Sequence, residues 1–115
     1  GSSGPYIQYS CVRAVSVLEK AETKSIVVSL TDAPTEAGGI ERLLYQFPEV
    51  VSRAREENAP QYVATYLTEL AQAFNNFYAR ERIAGSPYRL ALTTAVAVVL
   101  KNGLWLLGIR VPEKM

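Results

Sequence analysis

Seven tyrosines, at positions 6, 9, 45, 62, 66, 78 and 88, stand against three phenylalanines and one tryptophan. A tyrosine offers a ring face on which a nucleobase can stack and a hydroxyl that can bond the base edge. Tyr6, Tyr9 and Arg13 are separated by three and four residues, so on a helix they share one face. Tyr78 and Arg82 are four apart. A cation beside a tyrosine, twice over, suits a surface for splayed single-stranded RNA, where each stacked base contributes about 1–3 kcal/mol. The same spacing also suits a bundle rim whose tyrosines only keep their hydroxyls wet, and spacing alone leaves both readings open.

Other chemistries find little support. The sequence has no histidine, which removes the commonest general base and the commonest metal ligand. Its one cysteine, Cys11, can form neither an intrachain disulfide nor a thiolate zinc cage. A Ser-His-Asp or Cys-His mechanism within these residues is excluded. Glu56-Glu57 is the only adjacent carboxylate pair, and adjacent helix positions do not face each other. Gly38-Gly39 lacks the lysine of a phosphate-binding loop.

The elements that must position these side chains read as helices. The 115 residues, 49% hydrophobic and 20% charged, fit one domain with its own core. Net charge is +1, unevenly placed. Residues 1–59 hold six basic and eight acidic groups, so −2; residues 60–115 hold six basic and three acidic groups, so +3. That is a mild hint of an anion-facing side. No uncharged run, the apolar Leu90–Leu100 included, reaches the roughly 18 residues of a membrane span, so no membrane partner is expected. With no signal pattern and no disulfide framework, a cytoplasmic home is the default. Residues 1–4, Gly-Ser-Ser-Gly, have the composition of a linker or expression scar, leaving residues 5–115 as the domain.

Ile7, Cys11, Val15 and Leu18 form a helical stripe within about residues 6–21. Residues 22–35 read as a loop in which 25–30 could be extended. Helices are expected over about 36–45 and 48–57, with Pro48 opening the second and Asn58-Ala59-Pro60 breaking it. Val63, Leu67, Leu70, Phe74 and Phe77 step by four and three along the clearest helix. That helix is expected to end near Ala84-Gly85 in a left-handed glycine cap. Ser86-Pro87 starts a last helix, apolar on most faces, to about Gly103, with a further turn before Gly108. The fold class is therefore all-α, a bundle of about five helices with a short C-terminal tail.

Four separated motifs carry a resemblance over residues 4–115. They are Gly4-Pro5-Tyr6-Ile7-Gln8-Tyr9 with Val12-Arg13; Leu43-Leu44 through Phe47-Pro48-Glu49-Val50-Val51; Tyr66-Leu67 with Leu70-Ala71-Gln72-Ala73-Phe74 and Phe77-Tyr78; and a close. The close comprises Arg89-Leu90-Ala91-Leu92, Val99-Leu100-Lys101-Asn102-Gly103-Leu104, Leu106-Leu107-Gly108-Ile109 and Pro112-Glu113-Lys114-Met115. In this order and spacing they resemble the C-terminal anticodon-binding (DALR-type) domain of arginyl-tRNA synthetases. The resemblance implies a helical bundle that docks on the anticodon stem-loop of arginine tRNA, attached to a catalytic domain that joins arginine to that tRNA using ATP and Mg²⁺. That catalytic domain carries a His-Ile-Gly-His-type motif, which cannot lie in these residues. The terminal Lys-Met is not the second, Lys-Met-Ser-Lys-type motif. This chain is therefore expected to bind tRNA without a cofactor of its own, as a monomer, and to be inactive in charging by itself.

By the same resemblance Arg13, Tyr78 and Met115 approach the anticodon, with Tyr6, Gln8 and Tyr9 from the same motif as further RNA-binding candidates; Arg82 is a candidate by its spacing from Tyr78 alone. The tail ending at Met115 is expected to touch RNA, so lengthening it should weaken binding. Two positions depart from the family pattern: Cys11 stands where histidine is frequent, and Ala79 where asparagine or aspartate is frequent. The related bundle of another synthetase and a helical protein-interaction module without an RNA role are the rival readings.

Overall fold

A computed structural model describes residues 3–24, 29, 32–34 and 38–109. Four long helices follow one another: α1 (Ser3–Thr23), α2 (Gly39–Glu56), α3 (Gln61–Arg80) and α4 (Pro87–Leu106), with one 3-10 turn, Ile83–Gly85, between the last two. No strand occurs among the described residues, and the all-helical bundle is the architecture expected. Of residues 25–30 only Ser29 is described, so the suggestion of an extended stretch lies outside the described residues.

Helix α1 buries Ile7, Cys11, Ala14 and Ala21, with Val15 and Leu18 packed at the edge of the core. It begins at Ser3, inside the stretch whose composition suggests a linker. The expected helices over 36–45 and 48–57 are one helix, because Pro48 lies inside α2. Proline there removes the N–H that would meet the Leu44 carbonyl, at a cost of about 3 kcal/mol in a helix interior. Pro48 is exposed, so water can reach that carbonyl. Ile40, Leu43, Leu44, Phe47, Val50 and Ala54 meanwhile hold the helix to the core on both sides of it. The packed face overrides the local break.

α2 ends in a left-handed residue, Asn58, at φ 52°. The Ala59 N–H reaches the Ala54 carbonyl at 2.8 Å and the Asn58 N–H the Arg55 carbonyl at 3.3 Å, the paired bonds of a Schellman motif. α4 ends the same way. Gly108 has φ 76°, Ile109 N–H bonds to Leu104 at 2.8 Å and Gly108 N–H to Trp105 at 2.9 Å. Gly85 is not such a cap. α3 stops earlier, at Arg80, and Glu81 is extended with φ −115° and ψ 143°. The chain breaks there so that Ile83 can be buried, while Glu81 bonds Arg89 at 2.9 Å.

Helix α4 has the length and composition to cross a membrane, yet it packs inside the bundle, against the three other long helices. Leu90, Thr93, Val96, Leu100 and Leu104 are fully enclosed, and the helix packs on α1, α2 and α3. Its approach to α3 is close: a Cβ added at Gly103 would lie 2.5 Å from Leu67 Cδ2. Its N-terminus is capped twice. The Ser86 hydroxyl accepts from the Arg89 N–H at 3.2 Å and itself donates to Asp32. Asp32 Oδ1 accepts from the Tyr88 N–H at 2.8 Å. Hydrogen bonds from Ser86 and Tyr88, with the nearby Arg89 charge, hold the Asp32 carboxyl below its ordinary range.

Candidate nucleic-acid interface

The face of α1 that carries Tyr6, Tyr9 and Arg13 lies beside the end of α3 that carries Asn75 and Tyr78. α1 and α3 are held together from behind by Ile7, Cys11, Phe74 and Leu70 in the core. That packing leaves the polar ends of both stripes at one rim. Tyr6 is 39% exposed and Tyr9 and Tyr78 are each 42% exposed.

The Arg13 guanidinium sits between two rings. Its Cζ is 4.7 Å from the centroid of Tyr9 and 4.5 Å from that of Tyr78. Such cation–π contacts contribute about 0.5–1 kcal/mol each at exposed sites. Arg13 Nη2 also donates to the Tyr9 hydroxyl, and Nη1 donates to Asn75 Oδ1 at 3.0 Å. Asn75 joins the cluster: its Nδ2 donates to the Tyr6 hydroxyl at 3.0 Å and to Ser10 Oγ at 2.8 Å. Ser10 is fully buried and donates its own proton to the Tyr6 carbonyl at 3.0 Å. Because arginine can only donate, Asn75 must turn its oxygen toward Arg13 and its amide hydrogens toward Tyr6 and Ser10.

All of these partners are neutral, and among the described residues Arg13 forms no ion pair. Its charge is thus held in place without being neutralised. The guanidinium carbon lies over both the Tyr9 and the Tyr78 ring. Tyr9 and Tyr78 are each 42% exposed, Tyr78 also meets the Phe74 ring at 6.3 Å between centroids, and the guanidinium has further N–H donors beyond the two given to Asn75 and Tyr9.

The other tyrosines do different work. Tyr66 donates to the Leu43 carbonyl and ties α3 to α2; burial pushes its hydroxyl up to about 12. Tyr88 donates to Glu41 at 2.7 Å, and that bond to a carboxylate, with partial burial, also pushes it up to about 12. Tyr62 donates to Glu57 at 2.7 Å, which raises it as well. Tyr45 is 85% exposed.

The structure thus brings together Tyr6, Tyr9, Arg13 and Tyr78. Gln8 is half-buried and, one residue before Tyr9, lies about 100° round the helix from that face. Arg82 is exposed, but α3 ends before it, so its four-residue spacing from Tyr78 is not a helical pairing; the two line a common cleft instead. Met115 lies outside the described residues. Cys11 is buried and its thiol meets the Ala97 carbonyl at 3.9 Å; burial pushes that thiol up, against the opposing charge of Lys101. A side chain so placed cannot reach RNA at the rim, whereas Ala79 is exposed there with nothing to offer beyond a methyl. Asn75 and Ser10 escape the sequence reading. The one signal for Asn75 is its place three residues before Tyr78, on the same face of α3.

Fold and site define a helical bundle that presents a caged cation and exposed tyrosine rings on one rim. The family description "DALR anticodon binding domain" matches residues 7–115, and the chain belongs to this family. It is 41% identical over 119 residues to arginine–tRNA ligase 1 of a Bacillus cereus strain, covering 100% of this chain and 21% of that relative. It is 44% identical over 121 residues to the arginine–tRNA ligase of a Lactococcus lactis subsp. lactis strain, covering 100% of this chain and 22% of that relative. Among solved structures, it is similar to Thermus thermophilus arginyl-tRNA synthetase with TM-score 0.74 and 34% identity, over 96% of this chain and 21% of that one. A Campylobacter jejuni chain described as an arginyl-tRNA synthetase superposes with TM-score 0.83 at 27% identity, over 98% of this chain and 26% of that one. The chain spans about a fifth of the length of the curated relatives it matches.

Proposed function

We propose that this chain binds the anticodon stem-loop of arginine tRNA, as the anticodon-recognition part of an arginine–tRNA ligase. One observation carries the reading: a charged, un-neutralised Arg13 clamped between Tyr9 and Tyr78 on an exposed rim. Its likeness over the whole chain to arginine–tRNA ligases supports the choice of tRNA. Splayed anticodon bases stack on the exposed tyrosine rings, while the guanidinium edge and the Tyr6 hydroxyl donate to phosphate or base edges. Met115 belongs to the proposal as a further contact, with Gln8 and Arg82 as outlying ones.

The charging chemistry of the longer relatives, with its ATP and Mg²⁺, is assigned in this reading to a catalytic domain that these residues do not supply. Among the described residues no three His, Cys, Asp or Glu side chains lie together. A monomeric, cytoplasmic protein follows from the same reading. The test is a titration of the 115-residue chain with arginine tRNA and with a mismatched tRNA at two salt concentrations. Tighter, salt-dependent binding of arginine tRNA is expected. Equal or absent binding of the two tRNAs refutes the reading, and arginine charging by the chain alone refutes the assignment of catalysis elsewhere.

A further inference from the structure

Beside the tyrosine site is a second feature that the family likeness does not assign. A cleft of about 340 Å³ is lined by Lys20 from the last turn of α1, by Lys24 just beyond it, by Arg82 from the link after α3, and by Tyr78. Its floor is apolar, from Val17, Ala21 and Ile83. Three cations from two separate segments therefore converge next to the ring that also covers Arg13. Among the described residues the one carboxylate lining the cleft, Glu81, is bonded to Arg89 at 2.9 Å and so is turned to another partner. Among the described residues none of Lys20, Lys24 and Arg82 forms an ion pair, and all three are exposed.

Like charges brought together without counter-charge repel one another, and an anion placed among them relieves that repulsion. One lysine in the last turn of α1 is accounted for by the helix dipole; Lys24, beyond the helix, and Arg82, from a different segment, are not. We infer that the Lys20–Lys24–Arg82 cleft is a phosphate track for single-stranded RNA. It carries the phosphodiester backbone that continues from a base stacked on Tyr78. Tyr78 is the hinge of the arrangement, because it belongs to both the stacking site and the cleft. The track adds affinity without reading sequence, since phosphates carry no base identity. This inference rests on the tRNA-binding reading above and adds Lys20 and Lys24 to it, with a defined role for Arg82.

The experiment measures arginine tRNA binding by the 115-residue chain across a series of salt concentrations. Wild type is compared with Lys20→Gln, Lys24→Gln and Arg82→Gln, and with Arg55→Gln, which lines a different cleft, as control. Circular dichroism confirms the helix content of each. Each of the three cleft variants is expected to lower the slope of log K against log salt by about 0.7, the value for one single-strand phosphate contact. Each should leave the preference for arginine tRNA over a mismatched tRNA unchanged, and Arg55→Gln should leave the slope as in wild type. Slopes equal to wild type in all three variants overturn the track while leaving the tRNA-binding reading intact. A loss of tRNA preference in them also overturns it, because the cations would then be reading bases. Absence of any salt-dependent binding by wild type overturns both.

Discussion

Asn75 holds three side chains of α1 at once, and replacing it tests whether the arginine is placed for RNA or only packed. Asn75→Leu keeps the size and deletes the bonds to Arg13 at 3.0 Å, Tyr6 at 3.0 Å and Ser10 at 2.8 Å. A neutral hydrogen bond contributes about 0.5–1.5 kcal/mol net, and three would give several. The loss should be smaller. Tyr6 and Arg13 can turn to water at the rim, and Ser10 still donates to the Tyr6 carbonyl. A fall in stability of about 1–2 kcal/mol is expected from urea unfolding, with unchanged m. Binding should respond differently. Without Asn75 the guanidinium keeps its stacks and the Tyr9 bond but regains part of the roughly 2 kcal/mol of arginine rotamer entropy, which RNA must then remove. A drop in tRNA affinity of about tenfold, or 1.4 kcal/mol, follows. The informative assay is a cycle with Arg13→Ala, read by tRNA binding. If Asn75 acts through Arg13, Asn75→Leu should cost almost nothing once Arg13 is alanine, a coupling of about 1 kcal/mol or more. Additive losses, or an Asn75→Leu chain that binds as wild type does, would falsify the positioning role.

Three further outcomes are expected. Tyr78→Ala should weaken tRNA binding by about 1–3 kcal/mol and Tyr78→Phe by less, because the ring face survives; equal losses in a binding titration would place the effect in the hydroxyl instead. Gly103→Ala should destabilise the fold by about 1–3 kcal/mol in a denaturant titration, since the new methyl meets Leu67 at 2.5 Å on the crowded α3–α4 face; an unchanged midpoint would contradict that close approach. Asp32 is held below its ordinary value of 3.8, so its contribution is present above that value and is lost as pH falls through the lower, folded one. Wild type should therefore lose stability in the acid range below about pH 4, and Asp32→Asn should flatten that part of a pH series of urea midpoints; parallel profiles would remove Asp32 from the acid transition.

The stripes of α1 and α3 are plain in the sequence, because a helix repeats every 3.6 residues and a buried face must repeat with it. Ile7 and Cys11, and Val63 through Phe74, are where that period places them. The cap Ser86-Pro87 and the stop at Gly108 are equally local, decided by φ preferences and a hydroxyl within reach of its own backbone. So is the nearness of Tyr9 to Arg13 across one helical turn. Tertiary structure decided the remainder. Pro48 remains inside α2 because side chains far away in sequence grip the helix on both sides of it. Gly85 is no left-handed cap because burying Ile83 stops α3 sooner. Asp32 helps cap a helix whose N-cap residue, Ser86, lies 54 residues later. Most of all, Arg13 and Tyr78 are 65 residues apart, and no period along the chain says that one will cover the other. Their meeting depends on the angle and register at which α1 packs on α3, which the whole core sets. The same packing brings in Asn75, an ordinary polar residue in the sequence and the centre of the cluster in the fold.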